Sequence, residues 1–152
     1  MLQWQWATLA ELSSLQWQEV GVLRQTVFVV EQTCPFPDLD ARDLDSHHLL
    51  GRNAEGRLVA YLRLVPAGHK YATPSLGRVV TAAEARGTGA GKALMLEGLA
   101  GHQRTYPGQP NTIGAQAYLS GFYQSLGFVP ISETYLEDDI PHIDMVWTPP
   151  AA

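Results

Sequence analysis

Cysteine is nearly absent. Cys34 stands alone, so no intrachain disulfide can form and a disulfide-stapled scaffold is excluded. Charge is sparse too. Asp, Glu, Lys and Arg supply 16% of the residues against 45% hydrophobic ones, which leaves no room for long disordered tracts. Basic charge is the scarcer sign: 10 Lys and Arg face 15 Asp and Glu, a net charge of -5. A nucleic-acid partner is therefore not expected, because its phosphates are held largely by Lys and Arg. No apolar run approaches the roughly 20 residues that span a bilayer. Met1 leads into "LQWQWATLAEL" without a basic segment or a long apolar stretch. No leader or membrane partner is expected, and the cytoplasm is the expected location. No repeat, low-complexity tract or linker divides the chain. Residues 1–152 read as one domain.

What is present mixes two periodicities. "LQWQW" alternates apolar and polar residues as a half-buried strand does. "SSLQ", Ser13 to Gln16, has capping-box spacing, and Trp17, Val20, Leu23, Val27 and Val30 then share one helical face. One helix is predicted from about Ser14 to Val30. "HHLLGR", the turn "NAEG" and "RLVAYLRLV" form a predicted hairpin, and Pro66 to Pro74 a loop. "SLGRVVT" reads as a strand, and Gly87 opens a helix to about Gly101. "TIGAQA" is a strand, "YLSGFYQSLG" a helix, and "FVPISETYLE" and "HIDMVW" the last strands. The pattern predicts an α/β domain with a mixed sheet.

Glycines 87, 89 and 91 lie between Arg86 and Lys92. A phosphate-binding loop of the form G-x-x-x-x-G-K-[ST] fails here, because Arg86 stands at the first glycine and Ala93 at the Ser/Thr. A dinucleotide fingerprint fails because Lys92 takes its third glycine. The pattern R/Q-x-x-G-x-G/A fits Arg86-Gly87-Thr88-Gly89-Ala90-Gly91 throughout. Unpaired N–H groups of a helix's first turn, the helix dipole and absent Cβ atoms together make an anion cradle.

A second stretch, "AQAYLSGFYQSLGF", narrows the reading. With the glycine loop it resembles the GNAT acetyltransferases, whose central strand, R/Q-x-x-G-x-G/A loop and F-Y-x-x-x-G-F segment follow in this order. "LRQTVFVVEQTCPFPDLDARDLDSHHL" and "YLEDDIPHIDM" resemble the ElaA-type branch of that family, and the likeness runs from about Trp4 to Trp147. The resemblance implies a mixed, mostly antiparallel sheet, flanked by helices and splayed between its fourth and fifth strands. It implies acetyl-CoA in the opening. The pantetheine arm would pair beside Val79, Val80 and Thr81, and the pyrophosphate would lie on Arg86, Gly87, Thr88, Gly89, Ala90, Gly91 and Lys92. No metal is implied.

The implied reaction moves an acetyl group to a primary amine of a small molecule or peptide, by direct attack in a ternary complex. By resemblance, Tyr123 stands where the family carries the tyrosine that protonates the leaving thiolate. A phenol near 10 and a thiol near 8.5 can share a proton. A lysine-like amine costs about 4.6 kcal/mol to deprotonate at pH 7, so a base helps. Some family members place a glutamate on the central strand, but Leu76-Gly77-Arg78-Val79 has no carboxylate. Glu31 is the first candidate. His142, with Asp144 on the same strand face, is the second, and deprotonation through ordered water, with no single base, stands equally beside them.

Other residues invite different readings. His47 and His48 are adjacent, so as strand residues they face opposite ways and cannot chelate one metal. "DLDARDLD" lacks the glycine and terminal glutamate of a calcium loop. It reads as solvated, or else as a field in which Asp38, Asp40 and the Glu137–Asp139 run draw a small cationic amine or an N-terminal amine. Cys34 reads as a loose loop thiol. A rival function is a noncatalytic acyl-CoA-binding module on the same fold. The residues leave monomer and homodimer both open.

Overall fold

The structure, a computed structural model, describes residues 1–150. Strand β1 is Gln3–Thr8 and helix α1 is Ser14–Arg24. The capping box forms as the spacing predicts: the Gln16 amide donates to Ser13 Oγ at 3.1 Å and the Ser13 amide to Gln16 Oε1 at 2.9 Å. The single helix to Val30 is corrected. Regular α-helix stops at Arg24, and the chain widens into a π-helical segment, Gln25–Glu31. The β-branched residues Thr26, Val27, Val29 and Val30 crowd a tight turn, and the Arg24 side chain is held inward by Asp38 and Asp43.

The predicted hairpin is β2, His47–Arg52, with β3, Leu58–Val65. Strand β4 is Ser75–Thr81, α2 is Ala90–Thr105, β5 is Asn111–Gln116 and α3 is Ser120–Ser125. Helix α2 starts after Gly87 and Gly89, whose φ angles of 77° and 84° are non-helical. It runs past the predicted stop at Gly101, because that glycine makes room for the Trp6 ring rather than capping the helix. "FVPISETYLE" is not one strand. It gives β6, Val129–Pro130, and β7, Tyr135–Glu137, before β8, Ile140–Trp147.

Strands β1-β2-β3-β4 make one antiparallel sheet. Strands β5-β8-β6 make a second, with β7 also on β8. The starts of β4 and β5 lie side by side: the Leu76 amide donates to Asn111 Oδ1 at 3.0 Å, and the Thr112 amide to Pro74 O at 3.1 Å. Beyond that point they part. The fold is thus mixed α/β, with antiparallel strands in two sheets that splay between the fourth and fifth strands, as the resemblance implies.

Helix α2 covers one face, where Leu94, Met95 and Leu99 pack on Leu49, Leu62 and Leu76. Helix α1 covers the other with Val20 and Leu23 on Leu50, Tyr61 and Val80. His48 lies on this α1 side, 5.4 Å from the Trp17 ring. Among the described residues no helix is long and apolar enough to cross a membrane.

Candidate active site

The parting of β4 and β5 opens a cleft of about 580 Å³. One wall is the free edge of β4. Opposite β3, Arg63 faces Gly77 and Tyr61 faces Val80, so β4 carries one extra residue, a bulge. Arg78 sits in it with φ at 50°. Val79 and Thr81 line the cleft, while Val80 lines it and is also buried against the α1 core. Past Thr81 the chain reaches the glycine loop. Gly87 and Gly89 hold left-handed backbone, and a Cβ on either would project into open space. The first-turn N–H groups of α2 therefore face outward, unobstructed. Ala90 contributes backbone alone, since its side chain packs with Val59 and Ala85. Thr88 Oγ1 turns inward to Ala85 O, and Lys92 is exposed. Arg86 Nη2 donates to Glu31 Oε1 at 2.7 Å and Thr81 O at 3.2 Å. These groups fit a pyrophosphate.

Tyr123 lines the cleft, its ring set edge-on against Phe122 and Phe128 at 5.2 and 5.8 Å. Its hydroxyl has no hydrogen-bond partner among the described residues. Burial, and then Tyr118 nearby, push its pKa up to about 12. Glu31 also lines the cleft, but its carboxylate is committed to Arg86. His142 lines it from β8. Its Nδ1 lies 2.7 Å from Ile140 O, a contact that requires an N–H there, so the neutral ring presents the Nε2 lone pair. Glu137 Oε2 is 3.7 Å from that Nε2. Asp144 is already an acceptor twice over: the Tyr71 and Tyr135 hydroxyls both donate to its Oδ1, at 2.8 and 2.6 Å. Across the mouth, Gln116 Nε2 donates to Gln32 Oε1 at 3.1 Å.

Asp38, Asp40 and Asp43 are paired with arginines and not solvated, which corrects the reading of the loop at these three residues, while Asp45 stays 62% exposed. Asp43 accepts from Arg24 Nη1 at 2.7 Å and Arg63 Nη1 at 2.9 Å. Asp38 meets Arg24 Nε and Arg78 Nε, each at 2.8 Å. Asp40 meets Arg63 at 2.6 Å and Arg78 at 3.4 Å. Burial alone would raise the Asp40 carboxyl, but Arg63 and Arg78 outweigh it and hold it at about 2. Three aspartates are cancelled by three arginines that come from α1, β3 and β4. No spacing rule links those arginines to the loop, so the sequence reading missed them. It also missed Lys70, Tyr71 and Tyr135. Lys70 and Tyr71 lie in a stretch whose only signal was its bounding prolines.

A splayed sheet with a glycine cradle at one end and an unpaired buried tyrosine in the cleft defines an acyl-CoA transferase fold. The profile of the acetyltransferase (GNAT) domain matches residues 26–149, and the chain belongs to that family. Its relatives place it in the ElaA-like branch. It is 43% identical to protein ElaA of Escherichia coli K12, over 95% of each chain. It is 41% identical to a UPF0039 protein of Schizosaccharomyces pombe, over 84% of each. An acyl-CoA N-acyltransferase from Pseudomonas aeruginosa superimposes with a TM-score of 0.91 at 41% identity, covering 97% of this chain and 100% of that one. The crystal structure of E. coli ElaA gives 0.90 at 41%, covering 97% and 99%.

Proposed function

We propose that the protein transfers an acetyl group from acetyl-CoA to a primary amine by direct attack within a ternary complex. The observation that carries this is Tyr123, a buried phenol with no partner, facing a cleft that ends at the glycine cradle. The α2 N-terminus with Gly87 and Gly89 receives the pyrophosphate, and Arg86 and Lys92 add positive charge. The free edge of β4 at Val79 to Thr81 offers backbone groups to the pantetheine amides, as an added strand would.

His142 Nε2 takes the ammonium proton, directly or through one water. Glu31 is the weaker base, because using it breaks its ion pair with Arg86. The neutral nitrogen then attacks the thioester carbonyl, forming C–N and breaking C–S. Tyr123 shares its proton with the departing thiolate, and solvent carries away the amide nitrogen's excess proton. The raised phenol pKa keeps Tyr123 protonated at neutral pH, so its proton is at hand for the thiolate.

A thiol-release assay with acetyl-CoA and a panel of amino acids, polyamines, aminoglycosides and peptides tests the reading. Amine-dependent release supports it. Tight acetyl-CoA binding with no release on any amine favours the noncatalytic module.

A further inference from the structure

The cations that line the cleft are Arg63, Lys70, Arg78 and Arg86. Three are paired with carboxylates of the chain itself, though Arg63 Nε is buried without a partner. Arg63 bonds Asp40 and Asp43, Arg78 bonds Asp38 and Asp40, and Arg86 bonds Glu31 and Thr81 O. Lys70 is different. Its ammonium has no hydrogen bond among the described residues, and the nearest carboxylate oxygen, on Glu137, is 3.7 Å away. The side chain is only 27% exposed, and the Tyr71 ring lies 5.6 Å from Nζ. The ammonium faces the cleft with three donors free to meet an acceptor there.

Gly114 lies close to Lys70, and the Tyr71 and Tyr135 hydroxyls fill the space a side chain there would need. A Cβ at Gly114 would stand 3.5 Å from Lys70 Nζ, 2.9 Å from the Tyr71 hydroxyl and 3.1 Å from that of Tyr135. Burial, then Arg78, Arg42 and Arg63, lower the Lys70 pKa against the opposing pull of Glu137. Position matters as well. Lys70 precedes the start of β4, whereas the glycine cradle follows its end. A group held at Lys70 therefore enters from the end of the cleft opposite the pyrophosphate.

We propose that Lys70 anchors a carboxylate of the acceptor, so that the acceptor class is amines that also carry a carboxylate, free amino acids foremost. This rests on the acetyl-transfer reading. It differs from the cationic acceptor expected from Asp38, Asp40 and the Glu137–Asp139 run, of which Asp38 and Asp40 are paired with arginines.

The test is thiol release with leucine, leucinamide and 3-methylbutylamine in the wild type, Lys70→Gln, Lys70→Arg and Glu137→Gln. Comparing the leucine-to-leucinamide ratio of kcat/KM between variants removes the different basicities of the two amines. A charge-assisted hydrogen bond implies a ratio about tenfold to a hundredfold lower in Lys70→Gln, through KM for leucine. Lys70→Arg keeps the ratio, and Glu137→Gln widens it by removing a competing anion. An unchanged ratio in folded Lys70→Gln overturns the proposal, as does an equal fall in kcat for both acceptors, which marks a structural or base role. Turnover of polyamines but not leucine overturns it and leaves acetyl transfer standing. No release with any amine removes the acetyl-transfer reading, and this proposal with it.

Discussion

Asp43→Asn isolates the energetics of the buried ion network. Asp43 is 3% exposed and Arg24 is fully buried. Its carboxylate takes one hydrogen bond from each of Arg24 and Arg63 on Oδ1, and one from the Asp40 amide on Oδ2 at 3.2 Å. Asparagine keeps the volume but removes the charge, and it sets an NH2 against one of these donors. Removing one partner of a buried pair costs about 3–5 kcal/mol, because the remaining charge stays buried. A domain is stable by only about 5–15 kcal/mol, so the loss is a large share. At about 2–4 °C per kcal/mol for this size it lowers Tm by about 6–20 °C. Urea denaturation reads it as a lower midpoint at constant slope.

Asp45→Asn is the control. That side chain is 62% exposed, with only His69 near it at 3.9 Å, and the change stays within about 0.5 kcal/mol. The pH dependence has a definite sign. Arg24 and Arg63 overcome the effect of burial and hold the Asp43 carboxyl below its unfolded value. Its stabilisation is present above about pH 4 and is lost as pH falls through the folded pKa. The gap between wild type and Asp43→Asn therefore narrows in acid. A loss below about 1 kcal/mol at pH 7, or a gap independent of pH, refutes the network.

Three further outcomes concern the site. Tyr123→Phe lowers kcat by about 10²–10⁴-fold while acetyl-CoA affinity holds; an unchanged kcat with chemistry rate-limiting removes the role. Gly89→Glu, at a left-handed residue facing the cradle, abolishes CoA binding by calorimetry, and a folded mutant with wild-type affinity contradicts the cradle. His142→Gln lowers kcat by about 10²-fold or more, whereas Glu31→Gln acts mainly on acetyl-CoA affinity through Arg86; the reverse pattern makes Glu31 the base.

Local signals read well. The β2–β3 hairpin, the Ser13 cap and the glycine loop each rest on neighbours in sequence, and each forms as expected. The misreadings share a cause, which is a partner distant along the chain. Gly101 looked like a helix terminator because nothing in sequence shows Trp6 beside it. "FVPISETYLE" looked continuous, but the Pro130 ring offers no amide for a ladder and β6 stops there. The acidic loop looked solvated because its partners lie 14 to 40 residues away. Of the cleft, the glycine-loop end was legible as a motif. The Lys70 end was not, because it is assembled from a loop and from β5, β7 and β8, none of which carries a spacing signature.

The buried network also bears on the shape of the cleft wall. A non-glycine residue with φ near 50°, as at Arg78, costs about 1–2 kcal/mol, and such strain persists where the surroundings over-determine it. Here they do so through the side chain. Arg78 Nη2 reaches Asp38 O at 2.8 Å and Asp40 Oδ2 at 3.4 Å, while Nε reaches Asp38 Oδ1 at 2.8 Å. The same two aspartates are fixed from behind by Arg24 and Arg63. The bulge in β4 is thus clamped from α1, β3 and the acidic loop together. A bulge displaces backbone groups from the ladder, and this one lies between the Lys70 end and the cradle end of the cleft. In the proposed reaction the thioester carbonyl is held between those two ends, beside β4. The acidic loop stiffens that strand through Asp38 and Asp40, whose charges are paired with Arg24, Arg63 and Arg78 in doing so.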